Sequence, residues 1–260
     1  MPHFDLTKWY ADCVTDQGDA FILYSAELRW PPVHYTSLLC HRSGHDSRNR
    51  FSLRKQSPPR ERDACIEWTS GKWKAWGQWR PSGASIREIL FDSPAGSLEW
   101  QCVAPRAVAH LRVAGEPEIH GWGYVERLRL SIAPWRLPIR ELRWGRFIND
   151  SDALVWIDWR GPYSQQVVYH NGSAVRARSI GDREIVLEDG DAVLSLEAST
   201  PLREGMLGIT ALAVIPNVDR LFPASILRVR ERKWLSRAVL RRPGHPESSG
   251  TAIHEVVEWP

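Results

Sequence analysis

The 260-residue sequence predicts an all-β protein of antiparallel barrels or sandwiches, on three observations. Apolar residues alternate with a period of two along short segments, as they do on half-buried strands. Turn residues interrupt those segments at short intervals. Eighteen glycines and eighteen prolines, nearly all at the interruptions, leave little room for long helices.

In chain order, strand-like segments fall at 21–25 and 64–68, then at 122–132, 141–148, 153–159, 166–169, 184–187 and 192–196, with a final strand at 252–259. Between them stand Asp16-Gln-Gly, Pro31-Pro, Ser57-Pro-Pro, Pro81-Ser-Gly, Ser93-Pro-Ala-Gly, Gly161-Pro, Asn171-Gly, Asp189-Gly and Pro243-Gly. Asn171-Gly and Asp189-Gly signal hairpins, because these pairs accept the two left-handed positions of a type I′ turn. Residues 41–63 are polar and turn-rich and read as a long hairpin tip or loop, and 241–250 as a second polar turn. The Ala-Gly-Glu-Pro-Glu-Ile-His-Gly stretch beginning at Ala114 reads as the joint between two β domains, 1–118 and 119–260. There is no tandem sequence repeat.

Composition narrows the function. Thirty-four basic against 31 acidic side chains give a net charge of +3, without the strong basic excess of a nucleic-acid binder. No apolar run approaches the ~20 residues of a membrane span, and the first residues lack the pattern of a secretory signal. Cys13, Cys40, Cys65 and Cys102 lie far apart, with no Cys-x-x-Cys pair, and read as reduced buried thiols of a cytoplasmic protein. The outlying number is 14 tryptophans, more than tyrosine and phenylalanine together.

The chemistry concentrates between His120 and Gly161. Strand parity over 122–132 puts Trp122, Tyr124, Glu126, Leu128, Leu130 and Ile132 on one face, and Val125, Arg127 and Arg129 on the other. A carboxyl inside an apolar row is costly unless paired or protonated. Desolvation favours the neutral form, which would make Glu126 a general acid near neutral pH. On the next strand Leu142, Trp144, Arg146 and Ile148 share a face, so Arg146 is expected in the same interior as Glu126. A structural Glu126–Arg146 ion pair would lower the carboxyl pKa instead, and both readings stay open at this level.

Trp68, Trp73, Trp76, Trp79 and Trp100 in the first half, with Trp122, Trp135, Trp144, Trp156 and Trp159 in the second, are individually core candidates. Together they suit the wall of an aromatic cavity, whose indole faces stabilise positive charge. Trp156 and Trp159 have opposite parity, so at most one of them lines a given interior. Cys40, His41, His45 and Asp46 read as a polar loop rather than a metal site, since they lack a second ligand cluster. The arginines from Arg228 to Arg242 read as a solvated face, although an acidic ligand head group would also suit them. No nucleophile elbow, Walker loop or dinucleotide fingerprint is present.

Two segments carry a resemblance. Trp9-Tyr-Ala-Asp-Cys-Val-Thr-Asp-Gln-Gly, running on to Tyr24, is similar to the N-terminal Trp-Tyr-x-Asp-x-x-x-Asp-x-Gly signature of lipocalin-like carotenoid hydratases (hydroxyneurosporene synthases). Gly121-Trp-Gly-Tyr-Val-Glu and the later Trp144-Gly-Arg resemble the Gly-x-Gly-Tyr-His-Asp-His and Trp-Gly-Arg of the same group, which extends to tocopherol-cyclase-like proteins and lipocalin-type pericyclases. The resemblance covers about a third of the chain. It implies two lipocalin-like (calycin-type) antiparallel β-barrels or half-barrels packed together. It also implies acid chemistry at Tyr124 and Glu126, while Val125 and Arg127 replace the family's two histidines and put hydration itself in question.

The expected protein is therefore an enzyme without metal or organic cofactor, acting on a hydrophobic unsaturated substrate of isoprenoid or polyene type. The expected reaction is an acid-assisted or templated cyclisation, isomerisation or hydration. Glu126 would be the acid, Tyr124 its hydrogen-bond partner and Arg146 an orienting group, with Trp9, Tyr24, Trp100, Trp122, Trp144 and Trp156 around the substrate. The competing reading is a non-catalytic carrier of a lipophilic ligand, and a third is a structural domain with a tryptophan core. No nucleic-acid partner is expected, peripheral membrane contact and oligomeric state stay open, and shape alone could accelerate a pericyclic step.

Overall fold

The computed structural model describes residues 4–29, 32–188 and 192–260. The Pro31-Pro and Asp189-Gly turns fall at least partly outside those residues. The chain divides into two compact units, 1–136 and 137–260.

The first unit is a ten-stranded antiparallel sheet: β1 (Leu6–Val14), β2 (Ala20–Arg29), β3 (Pro32–His41), β4 (Arg48–Ser52), β5 (Arg60–Arg62), β6 (Cys65–Ser70), β7 (Ala75–Pro81), β8 (Ile86–Ser93), β9 (Gly96–Val113) and β10 (Ile119–Leu130). Its order is β4-β3-β2-β1-β10-β9-β7-β6-β5, with β8 also on β9. The first strand thus pairs with the last, and the meander opens between β4 and β5. The polar 41–63 stretch is not one loop, because it contains β4 and β5.

The second unit repeats the scheme with β11 (Glu141–Ile148), β12 (Ala153–Arg160), β13 (Gln165–His170), β14 (Ser173–Val175), β15 (Ala177–Ile180), β16 (Glu184–Leu187), β17 (Val193–Met206), β18 (Arg230–Arg241) and β19 (Ser248–Glu258). Its order is β14-β13-β12-β11-β19-β18-β17-β16-β15, again with first strand on last. Among the described residues the α-helices are single turns, α1 (Val218–Leu221) and α2 (Ala224–Leu227). None is long and apolar enough to cross a membrane.

The hairpin expected at Asn171-Gly joins β13 to β14, with both turn residues at positive φ (49° and 81°). The domain joint expected at 118/119 does not fall there. The polar stretch after Ala114 is the turn of the β9–β10 hairpin, and β10 pairs along its length with β1 and β9 of the first unit. A hairpin tip and a linker share one composition, so the sequence does not separate them.

Each unit has its own apolar interior. In the first it gathers Trp9, Phe21, Leu23, Trp68, Trp79 and Val125; in the second Phe147, Leu154, Trp156, Leu194, Leu240 and Ala252. The Gly121 and Trp144 motifs each contribute a glycine to these interiors. A Cβ on Gly123 would lie 2.7 Å from Trp79 Cδ1, and one on Gly145 only 2.1 Å from Trp156 Cζ2. The glycines thus leave room for an indole on their own strand face, much as aromatic residues cover strand glycines elsewhere.

Candidate active site on the outer face of the first sheet

Residues directly opposed across an antiparallel pair point to one side of the sheet. One row runs from Cys102 on β9 through Glu126, Tyr10 and Tyr24 to Ser37 on β3. The adjacent row places Tyr124 opposite Asp12, which in turn opposes Ile22. Trp9, Ala11, Cys13 and Val125 alternate with these residues and belong to the apolar interior. Glu126 therefore lies on the face of its sheet away from the unit's core, yet it is only 5% exposed.

The polar groups on this face are tied in pairs. Tyr124 Oη donates to Glu126 Oε2 at 2.7 Å, and Trp100 Nε1 donates to the same oxygen at 2.6 Å. Tyr10 Oη donates to Asp12 Oδ2 at 2.9 Å. On each strand a tyrosine thus bonds the carboxyl two residues further on, which the period of two places beside it. The Tyr10 ring meets Tyr24 edge-on at 5.2 Å and Tyr124 at 6.0 Å, and Lys8 Nζ stands 4.9 Å from the Tyr24 centroid. From the core side Trp79 Nε1 donates to the Asp12 carbonyl at 2.6 Å.

Burial dominates the electrostatics. It raises the Tyr124 hydroxyl well above its ordinary pKa, assisted by Cys102 and Glu126, and raises the Cys102 thiol well above its own. Tyr124 is therefore a neutral hydroxyl that keeps its proton at physiological pH and shares it with Glu126 as a hydrogen bond. The register of β9 shifts between Gly123 and Val125 and again before Glu126, so the strand is irregular beside the carboxyl. Bulges of this kind re-aim side chains next to functional sites.

The nine residues nominated from sequence divide three ways. Glu126, Tyr124, Trp100 and Tyr24 share the outer face of the first sheet with the half-buried Trp122, over which Arg106 stands at 5.8 Å. Arg146 and Trp144 stand together on β11 of the second unit, on the face away from that unit's core. Arg146 is fully buried and donates to the Thr251 carbonyl at 3.1 Å, and Lys233, ion-paired with Glu255, lies 5.0 Å from the Trp144 ring. Glu126 and Arg146 thus stand on different sheets, each on the face away from its own unit's apolar cluster. Trp9 and Trp156 are core residues of the first and second units, pointing away from Glu126 and Arg146 respectively. Of the Trp156–Trp159 pair, Trp159 takes the Arg146 side, opposite Leu142.

Sequence reasoning did not nominate Tyr10, Asp12, Cys102 or Ser37. The signal for Tyr10 and Asp12 lay in the Trp9 motif, whose even members reach Glu126 only because β1 pairs with β10. Ser37 is fully buried, and its hydroxyl has no hydrogen-bond partner among the described residues. A cavity of about 400 Å³ in the first unit lies elsewhere, lined by Glu61, Cys65, Ile66, Gln101, Val103 and their neighbours, with no tryptophan in its wall.

The fold is that of two lipocalin-like β units. No family model and no curated protein matches the chain. Among solved structures it is similar to CghA with Sch210972, at a TM-score of 0.61 and 12% identity over 98% of this chain and 88% of that one. It is similar as well to kievitone hydratase from Nectria haematococca, at 0.60 and 9% over 97% and 88%. An AttH protein from Nitrosomonas europaea follows at 0.54 and 11% over 97% and 92%. At these identities the likeness is one of fold.

Proposed function

We propose that the protein is a cofactor-free enzyme that converts a hydrophobic, unsaturated substrate by acid-assisted or templated cyclisation, isomerisation or hydration. The observation that carries this reading is the buried Glu126 carboxyl, with Trp100 and Tyr124 both donating to Oε2. Two donors on one oxygen fix the carboxyl plane and so aim the acid's proton. In the protonated state Glu126 delivers that proton to an alkene, enol or carbonyl, and it recovers one when the resulting cation or enol collapses. Tyr124 orients the acid, and Trp100 and Trp122 offer indole faces to developing positive charge. The fold neighbours support the reading, since one of them is by name a hydratase.

The test begins with ligand capture by the purified protein from extract of its native cells, read by mass spectrometry, followed by turnover of the captured compound. Glu126→Gln keeps the shape and removes the acid, so turnover should fall by about 10²- to 10⁴-fold while capture persists. Unchanged turnover in Glu126→Gln would overturn the acid assignment. Capture without turnover in the unsubstituted protein would make it a carrier instead.

A further inference from the structure

The β9–β10 hairpin brings together three side chains that the acid site does not use. His110 on β9 and His120 on β10 are directly opposed, and their rings stack at 4.1 Å with 19° between planes. Glu118, two residues before His120, reaches the same place, with its Oε1 2.5 Å from His110 Nε2. One ligand atom from each of the three lies within 4.8 Å of the others. The cluster sits at a partly exposed surface, where His110 and Glu118 keep 26% and 45% of their side-chain area.

We propose that His110, Glu118 and His120 form a surface site for a borderline transition-metal ion, Zn²⁺ above all. Two imidazoles and one carboxylate are a recurrent zinc donor set, and the ion's fourth position would be left to water. Ligand atoms on one tetrahedral zinc stand roughly 3.4 Å apart, so the three need side-chain rotation but no backbone movement. The hairpin holds the two histidines in register before any ion arrives, which lowers the ordering cost of binding. Arg112 Nε donates to Glu118 Oε1 at 2.7 Å and is the resident cation that zinc must displace. Its guanidinium already stands 5.8 Å from the Trp76 ring, a second seat that it retains on leaving the carboxylate. Trp76 in turn meets His110 edge-on at 5.1 Å.

The site is independent of the acid chemistry proposed above. Full-length protein freed of metal by chelator dialysis is titrated with ZnCl₂ by calorimetry and by competition with a chromophoric chelator. The expected result is one zinc per chain, with affinity reduced at least about tenfold in His110→Ala and in His120→Ala, and less in Glu118→Gln. His34→Ala, on β3 and outside the cluster, should bind as the parent does. A copper(II) titration gives a second readout: electron paramagnetic resonance should show two imidazole nitrogens in the parent and one in each histidine variant. No zinc uptake by the parent, or parent-like affinity in both folded histidine variants, overturns the proposal. So does a copper signal that the histidine variants leave unchanged.

Discussion

Trp100 Nε1 donates to Glu126 Oε2 at 2.6 Å, between residues on β9 and β10 that are 1% and 5% exposed. A buried carboxyl that receives an indole N–H and a phenol O–H on one oxygen is oriented by packing, and it has little freedom to turn. Trp100→Phe keeps most of the apolar bulk and deletes one donor. A bond of this kind contributes about 1–3 kcal/mol when its partner is left buried, so the urea midpoint should fall accordingly. Tyr124→Phe, which deletes the other donor with almost no change of volume, should cost a similar amount. A midpoint unchanged in both variants would show that neither donor holds the acid.

The second unit contains a different titrating group. Burial, and after it the charge of Lys233, lowers the His254 imidazole to about 4 from an ordinary 6.5. Its Nε2 lies 2.8 Å from Ser236 Oγ, and its ring stacks on Trp234 at 5.2 Å. Between the two pKa values the unfolded chain binds a proton that the folded chain excludes. This contribution is complete above about pH 6.5 and is lost as the pH falls towards 4, by roughly 3 kcal/mol at most. His41 is lowered in the same direction, again by burial first, and adds slope of the same sign. Asp182, held low by its bond to Arg143, acts only below this window. Urea midpoints measured from pH 7.5 to 4 should fall steeply for the parent and distinctly less for His254→Gln; parallel profiles would contradict the assignment.

The Gly145–Trp156 contact makes a sharp stability prediction. A Cβ at Gly145 would meet Trp156 Cζ2 at 2.1 Å and Cε2 at 2.5 Å, and the indole is 2% exposed with close packing around it. Gly145→Ala should therefore lower stability by about 1–3 kcal/mol, the usual cost of overpacking a core. Trp156→Phe removes the part of the ring that clashes. In that background the added alanine should cost less, and differential scanning calorimetry of the four-member cycle reads the difference as a double-mutant cost smaller than the sum of the single costs.

Alternation alone was sufficient for the fold class and for the shared face of Trp122, Tyr124 and Glu126, because a period of two is a local property. It was not sufficient to say which face is the core. Tyr124 and Val125 are adjacent and both fully buried, so the apolar content of one parity class does not mark the barrel interior. Pairings distant along the chain were equally hidden. Tyr10 and Asp12 join Glu126 through the β1–β10 ladder, and His110 meets His120 through the register of the β9–β10 hairpin, neither of which is written in composition or spacing. The Asn171-Gly hairpin was legible because its geometry resides in the two residues themselves.

The split of the tryptophans between faces separates stability from ligand binding. Trp9 packs in the core of the first unit at 7% exposure, although the sequence motif associates it with the site. Trp122 is half-buried on the face that carries Tyr124 and Glu126. Trp9→Ala should cost about 3–5 kcal/mol, as large-to-small core changes do, while leaving unchanged the identity of the compound captured by the folded fraction. Trp122→Ala should cost clearly less stability, since only part of its surface leaves water on folding. Under the proposed function it should also reduce retention of the captured compound, because it strips one indole from the acid's face. Urea unfolding paired with mass-spectrometric quantification of bound ligand reads both effects on the same samples. Loss of ligand in Trp9→Ala with normal retention in Trp122→Ala would transfer the binding site to the interior of the barrel.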